Sequence, residues 1–242
     1  MKFFHWSAAL ALASAAAPAF AGPPYLTDDP VPTDTGHWEI YAFTDGEGRK
    51  ATVDTDVGTD LNYGPVKGVQ LTATLPLTFS HTPSEGWQSG TGDVEIGVKY
   101  RFFDDHKEGV SAAIFPRVIL PTAAHSPGER TRFLLPLWLG KDFAGGTSIF
   151  GGGGYMINPG PGNRDFWQAA IALTHDLSKQ FSGGVEITRQ GSDTVGGTAQ
   201  TRAGVGAIVH FSDHYALLLS GGPTWAEHQT SYHFYAALGF FF

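Results

Sequence analysis

The last eleven residues, Tyr232 to Phe242, place an apolar side chain at every second position: Tyr232, Phe234, Ala236, Leu238, Phe240 and Phe242. A period of two over this length is a β-strand with one apolar face. Such a final strand fits two settings. It is either a buried edge strand of a soluble sheet, or the closing strand of a membrane barrel whose alternate side chains face lipid.

The other end of the chain narrows the choice. Lys2 gives a positive start, Ala8 to Ala17 form a short apolar stretch, and Ala19-Phe20-Ala21 is a small-x-small cleavage site. Residues 1–21 therefore read as a secretory signal cleaved after Ala21. The apolar stretch is shorter than the ~20 residues of a transmembrane helix, and no other segment is a continuous apolar span. The absence of cysteine excludes disulfide and thiolate chemistry. Apolar residues make up 42% and charged residues 16%, the average expected when half of each strand faces lipid and half a polar lumen. The formal charge is −8, and −9 once Lys2 leaves, which argues against a nucleic-acid partner.

Residues 22–35 (GPPYLTDDPVPTDT) are rich in Pro and Asp and are expected to be irregular. The remainder, 36–242, is expected to be an all-β, closed antiparallel transmembrane barrel of about twelve strands. The strands are placed near 36–46, 51–63, 67–80, 91–103, 109–122, 130–143, 146–157, 165–176, 180–190, 198–211, 214–224 and 231–242. In 91–103, Val94, Ile96, Val98, Tyr100 and Phe102 form the outward set, opposite Asp93, Glu95, Gly97, Lys99 and Arg101. In 67–80, Val69, Leu71, Ala73, Leu75, Leu77 and Phe79 oppose Gln70, Thr72, Thr74, Thr78 and Ser80. Short breaks at Gly64-Pro65-Val66, Asp104 to Glu108, Ala144-Gly145, Leu177 to Lys179 and Ser212-Asp213 alternate with longer ones, Ser80 to Gly90 among them. Short periplasmic turns and longer outer loops give this rhythm. Aromatics beside the short turns, such as Tyr63, Phe102, Phe143, Phe211 and Tyr215, read as an interfacial girdle. Prolines 76, 116, 121 and 136 each remove a ladder donor; they imply bulges, with a lateral opening as the alternative.

Inward-facing charge is the main functional candidate. Glu95, Lys99, Arg101, Arg117, Arg132, Glu186 and Arg202 lie on the lumen parity of their strands. They form either a structural ion-pair network or a charged constriction that selects what passes. A barrel of this size is too narrow for a wide porin-like channel. Lipid-modifying catalysis would need a nucleophile–base pair on the outer wall; His81, His125, His175, His210, His214, His228 and His233 are present, but there is no G-x-S-x-G, and Ser231 with His233 points inward. An enzyme is not expected, no metal-ligand spacing stands out, and no cofactor is implied. Asp28, Asp29 and Asp34 read as a solvated acidic segment.

The ending on Phe242 resembles the carboxy-terminal signal read by the bacterial barrel-assembly machinery, which is thereby an expected partner besides outer-membrane lipid and a small-molecule solute. The segments Gly22 to Pro30, Gly36 to Tyr41, Asp60 to Gly64 and Gly92-Asp93-Val94-Glu95-Ile96-Gly97-Val98-Lys99-Tyr100-Arg101-Phe102 resemble the outer-membrane protein family named for the meta-pathway of phenol degradation. The resemblance covers the whole mature chain. It implies an outer-membrane barrel that passively transports or channels small compounds, aromatic or hydrophobic ones among them. A structural or lipid-modifying barrel without transport is the alternative. Residues 22–35 are expected at or inside the periplasmic mouth.

Overall fold

The computed structural model of the protein describes residues 24–124, 130–227 and 229–242. The signal at 1–21, Gly22, Pro23, His125 and His228 lie outside the described residues.

Among the described residues, fourteen strand segments form one antiparallel sheet: β1 Trp38–Arg49, β2 Thr52–Val66, β3 Val69–Thr82, β4 Gly86–Thr91, β5 Val94–Asp105, β6 Val110–Ile114, β7 Arg117–Leu120, β8 Arg132–Phe143, β9 Thr147–Ile157, β10 Phe166–Asp176, β11 Phe181–Gln190, β12 Gln200–Ser212, β13 Tyr215–Ala226 and β14 Gln229–Phe241. They make twelve wall strands. β4 and β5 are one strand interrupted at Gly92-Asp93, and β6 and β7 are one strand interrupted at Phe115-Pro116. Each wall strand pairs with its neighbours in sequence, and β1 pairs with β14 from Glu39↔Phe241 to Gly48↔Tyr232. Trp38 N–H donates to the Phe242 carbonyl (2.6 Å), and Phe242 N–H donates to the Trp38 carbonyl (3.1 Å). The sheet is thereby closed and leaves no edge along the wall, the condition for crossing a bilayer with strands.

Alternation sorts the side chains as the sequence pattern expects. Leu71, Leu75, Leu77, Ile96, Val98, Tyr100, Leu135, Leu137, Leu139, Ile171, Val185, Ile187, Val205 and Leu238 are exposed on the outer face. Their intervening neighbours Gln70, Thr72, Lys99, Trp138, Ala172, Glu186 and Ala237 are buried inside. An apolar exterior around a polar interior is a membrane barrel, the inverse of a soluble one. Phe102, Phe103, Phe143, Phe211, Tyr215 and Phe242 ring the end where β1 begins and β14 ends, which is the periplasmic end by this architecture. Trp87, Trp167, Trp225 and Tyr232 ring the other.

The first strand runs three residues past its expected end, to Arg49, and two of the expected breaks fall differently. β2 runs through Gly64 and Pro65 to Val66, across a register shift between Tyr63 and Val66. The turn falls instead at Lys67-Gly68, where Gly68 takes φ +79°. The expected outer loop at Ser80 to Gly90 is a hairpin, in which β3 and β4 pair from Leu77↔Thr91 to Thr82↔Gly86. Gly86 at φ +72° permits that tight turn, and His81 lies against Trp87 with ring centroids 5.1 Å apart.

The prolines are accommodated without opening the wall. Pro116 sits at the β6–β7 break, yet its carbonyl accepts from Val98 N–H (3.1 Å) and the Pro136 carbonyl accepts from Phe115 N–H (3.2 Å). The ladder closes across the interruption, and the break turns Phe115 into the lumen, where it is buried.

Candidate functional site

The lumen is crossed by the chain's own amino-terminal segment. Residues 24–37 enter at the periplasmic end, where Gly36 N–H donates to the Gly64 carbonyl (2.7 Å) and Gly64 N–H donates to the His37 carbonyl (3.1 Å). Thr33 donates through N–H (2.9 Å) and Oγ1 (3.2 Å) to Gln70 Oε1 on β3. Gln70 is held in turn by Asn62, whose Oδ1 also accepts from Thr72 Oγ1. Further along, Lys99 on β5 donates to Asp28 Oδ1 (2.8 Å) and lies 4.0 Å from Asp29 Oδ1. The strap then reaches the opposite wall. Glu186 on β11 accepts from Leu26 N–H (3.2 Å), Thr27 N–H (3.0 Å) and Thr27 Oγ1 (2.8 Å). Tyr25 donates from its hydroxyl to the Gly206 carbonyl on β12 (3.1 Å), and Ser220 on β13 donates to the Pro24 carbonyl.

Small residues in the wall make this path possible. A Cβ at Gly206 would lie 2.6 Å from the Tyr25 ring, and one at Gly140 would lie 2.8 Å from Pro30 Cγ. Both are closer than carbon atoms approach, so the missing side chains are the seat of the strap. Prolines 24, 30 and 32 keep the segment extended and lower its freedom when undocked. Burial, and then the charge of Glu186, push the Tyr25 hydroxyl up to about 12, so it stays a donor at neutral pH.

The strap separates two spaces. On the extracellular side is a cavity of about 790 Å³, bordered by Tyr25, Leu26 and Asp28 of the strap and by Phe43, Asp45, Asp56, Asp60, Glu95, Arg117, Arg132, Arg202 and His233 of the wall. On the periplasmic side is a space of about 620 Å³ bordered by Val31, Arg101, Asp104, Lys141 and Asp142.

The seven charges singled out in the sequence divide among these places. Arg117 pairs with Glu95 (3.0 Å) and stacks over Phe115 (4.9 Å to the ring centroid). Arg132 pairs with Asp93 (2.6 Å) and Arg202 with Glu47 (3.1 Å). These groups border the extracellular cavity. Lys99 and Glu186 are occupied by the strap. Arg101 stands apart: it pairs with Asp104 (3.0 Å) and borders the periplasmic space. Asp28 and Asp29, read from sequence as solvated, instead face buried Lys99.

Sequence reasoning passed over the acidic wall of the extracellular cavity. Asp45 and Glu47 on β1 face Asp56 and Asp54 on β2 in direct register. The signal was present as a period-two run of polar residues, Asp54, Asp56, Asp60 and Asn62, but its weak apolar counterpart left the strand hard to orient. Ser231 and His233 also face the lumen and do not bond each other: Ser231 donates to Glu47 (2.5 Å), and His233 Nδ1 meets Thr224 Oγ1 (3.2 Å).

The fold and its strapped lumen define an outer-membrane β-barrel, and solved structures agree. The chain is similar to the COG4313 outer membrane channel from Pseudomonas putida F1, with TM-score 0.72 and 11% identity over 92% of this chain and 100% of that one. It is also similar to the KdgM porin in complex with disordered oligogalacturonate, with TM-score 0.58 and 8% identity over 84% of this chain and 98% of the porin. The translocator domain of autotransporter NalP from Neisseria meningitidis aligns with TM-score 0.54 and 14% identity over 86% of this chain and 89% of that one. At these identities the likeness is one of fold. No protein-family model matches the chain, and no curated protein matches it in sequence.

Proposed function

We propose that the protein is a passive outer-membrane transporter or channel for small compounds, aromatic and other hydrophobic ones among them. The observation that carries this reading is a lumen with an open space on each side, divided by a strap that side-chain contacts hold in place. A strap of this kind can leave its seat without breaking the wall ladder. The cavity volume of about 790 Å³ suits one small organic molecule. Its lining mixes charge with Phe43, Phe115, Ile119, Met156 and Tyr235, which is suited to solutes with an apolar body. The channel and porin neighbours support transport. We propose likewise that residues 1–21 direct export and that β14 with the following Phe242 is read by the barrel-assembly machinery.

A second reading, a sealed structural or lipid-modifying barrel, is favoured by the docked strap. Uptake by proteoliposomes of a small aromatic compound beside a small sugar separates the two. Selective entry of the aromatic is expected. Exclusion of both by folded protein would overturn the transport reading, and entry of both at equal rates would overturn its solute class.

A further inference from the structure

The charges around the extracellular cavity do not balance. Among the described residues, eight carboxylates and four cations border it. Each cation already has a carboxylate: Lys99 has Asp28, Arg117 has Glu95, Arg132 has Asp93 and Arg202 has Glu47. Asp60 accepts from neutral donors, Asn62 Nδ2 (3.2 Å) and Thr74 Oγ1 (3.0 Å). Among the described residues, Asp45, Asp54 and Asp56 have no ion pair, the charge of Arg202 reaching Asp45 from its pair with Glu47.

Register concentrates this excess. Two adjacent inward-facing rungs run across β14, β1, β2 and β3. One is Tyr235–Asp45–Asp56–Thr78, the other His233–Glu47–Asp54–Ser80. Directly opposite residues on antiparallel strands hold their Cβ atoms about 4.5–5.5 Å apart, and like charges there are destabilising. The described residues thus include a two-by-two block of carboxylates in which Glu47 is the member held in an ion pair. A cation entering the lumen would relieve this repulsion and an anion would add to it.

Two further features border the same block. Phe43 and Tyr235 are stacked, with ring centroids 6.3 Å apart and planes 10° off parallel, and both line the cavity. Phe43 is one inward step along β1 from Asp45. On the other flank the His233 ring is 7% exposed, with Nδ1 on Thr224 Oγ1 and Nε2 turned toward the β12 wall at Gly204. Carboxylates for charge and aromatic faces for an apolar body are the features an organic ammonium ion requires.

We propose that the extracellular cavity takes small organic ammonium ions in preference to anions, and that Asp45, Asp54 and Asp56 set this preference. The inference rests on the lumen being the route of transport and adds the charge class of its solute. Binding distinguishes it from that reading, because binding does not require the strap to move.

Folded full-length protein in detergent is titrated calorimetrically with benzylamine, which is cationic at pH 7, and with benzoate, which has the same ring and the opposite charge. Benzylammonium is expected to bind at least about tenfold more tightly, the scale on which a lumen of one sign enriches counter-ions, and to weaken as salt is raised. The triple variant Asp45→Asn, Asp54→Asn, Asp56→Asn relieves repulsion and conserves shape, and its folding is checked by heat-modifiable gel mobility. It is expected to bring the two affinities within about threefold. Equal affinities in the wild type, tighter benzoate, no benzylammonium binding, or a preference that survives in the triple variant would each overturn the proposal. Selective binding without uptake in proteoliposomes would overturn the transport reading and leave the charge preference standing.

Discussion

Replacing Lys99 with Met should free the strap while leaving the barrel folded. Lys99 is 1% exposed, and its ammonium lies 2.8 Å from Asp28 Oδ1 and 5.1 Å from the centroid of Phe115. Met keeps the length and the apolar stem, so packing against Phe115 changes little. What is lost is the charge opposite Asp28. Removing one partner of a buried pair costs roughly 3–5 kcal/mol, because the other charge is left uncompensated. The Asp28 side chain keeps 16% exposure, which places the cost near the low end, about 3 kcal/mol. The wall ladder does not depend on Asp28, whereas the strap can carry it into water. The loss therefore falls on strap docking and shifts the docked-to-free ratio about 150-fold. Hydrogen exchange at the Thr27 amide, held by Glu186, should accelerate by that order, the heat-modifiable transition of the barrel should hardly move, and proteoliposome swelling should rise. Unchanged Thr27 exchange with a lowered barrel transition would refute the reasoning, since Lys99 would then be a wall residue.

Other perturbations act on separate parts of the structure. Gly206→Val places carbon where the Tyr25 ring sits; loss of that seat and of the Tyr25 hydrogen bond should speed strap exchange at least about tenfold, and no change would mean the ring does not rest there. Trp138 is 1% exposed on the lumen side of β8, so Trp138→Ala should cost about 3–5 kcal/mol in reversible unfolding from micelles; a cost below about 1 kcal/mol would place the indole outside the packed interior. Deleting Phe242 removes both backbone bonds to Trp38, worth about 2 kcal/mol together, and should slow membrane assembly. Assembly at the wild-type rate would show that the β1–β14 closure does not need the last residue.

Much of the wall is legible because lipid imposes a strict rule. Every second residue must be apolar, so Leu71, Leu75 and Leu77 on β3 and Ile96, Val98 and Tyr100 on β5 reveal their faces without further information. β1 and β2 are harder to read, since Gly46 and Gly48 dilute the outward set of β1 and Thr55 and Thr59 that of β2, and the acidic block they carry escapes with it. The strap illustrates a different limit. Its Pro- and Asp-rich composition announces irregular chain, but the pairing of Asp28 with Lys99, 71 residues away, or of Thr27 with Glu186, 159 away, depends on closure of the barrel. Local pattern places Lys99 and Glu186 in the lumen. It does not distinguish a residue that faces solute from one that holds the chain's own segment.

The most direct test of the account is to fasten the strap. The chain has no cysteine, so Pro30→Cys with Gly140→Cys, at a position where strap and β8 already touch, introduces a single thiol pair. Uptake of a small aromatic compound by proteoliposomes is measured with this pair reduced and then oxidised, cross-linking being verified by gel mobility. The account predicts uptake in the reduced protein that is abolished by the cross-link and restored by reductant. Equal uptake in both states would contradict it, because solute would then cross the barrel without moving the strap.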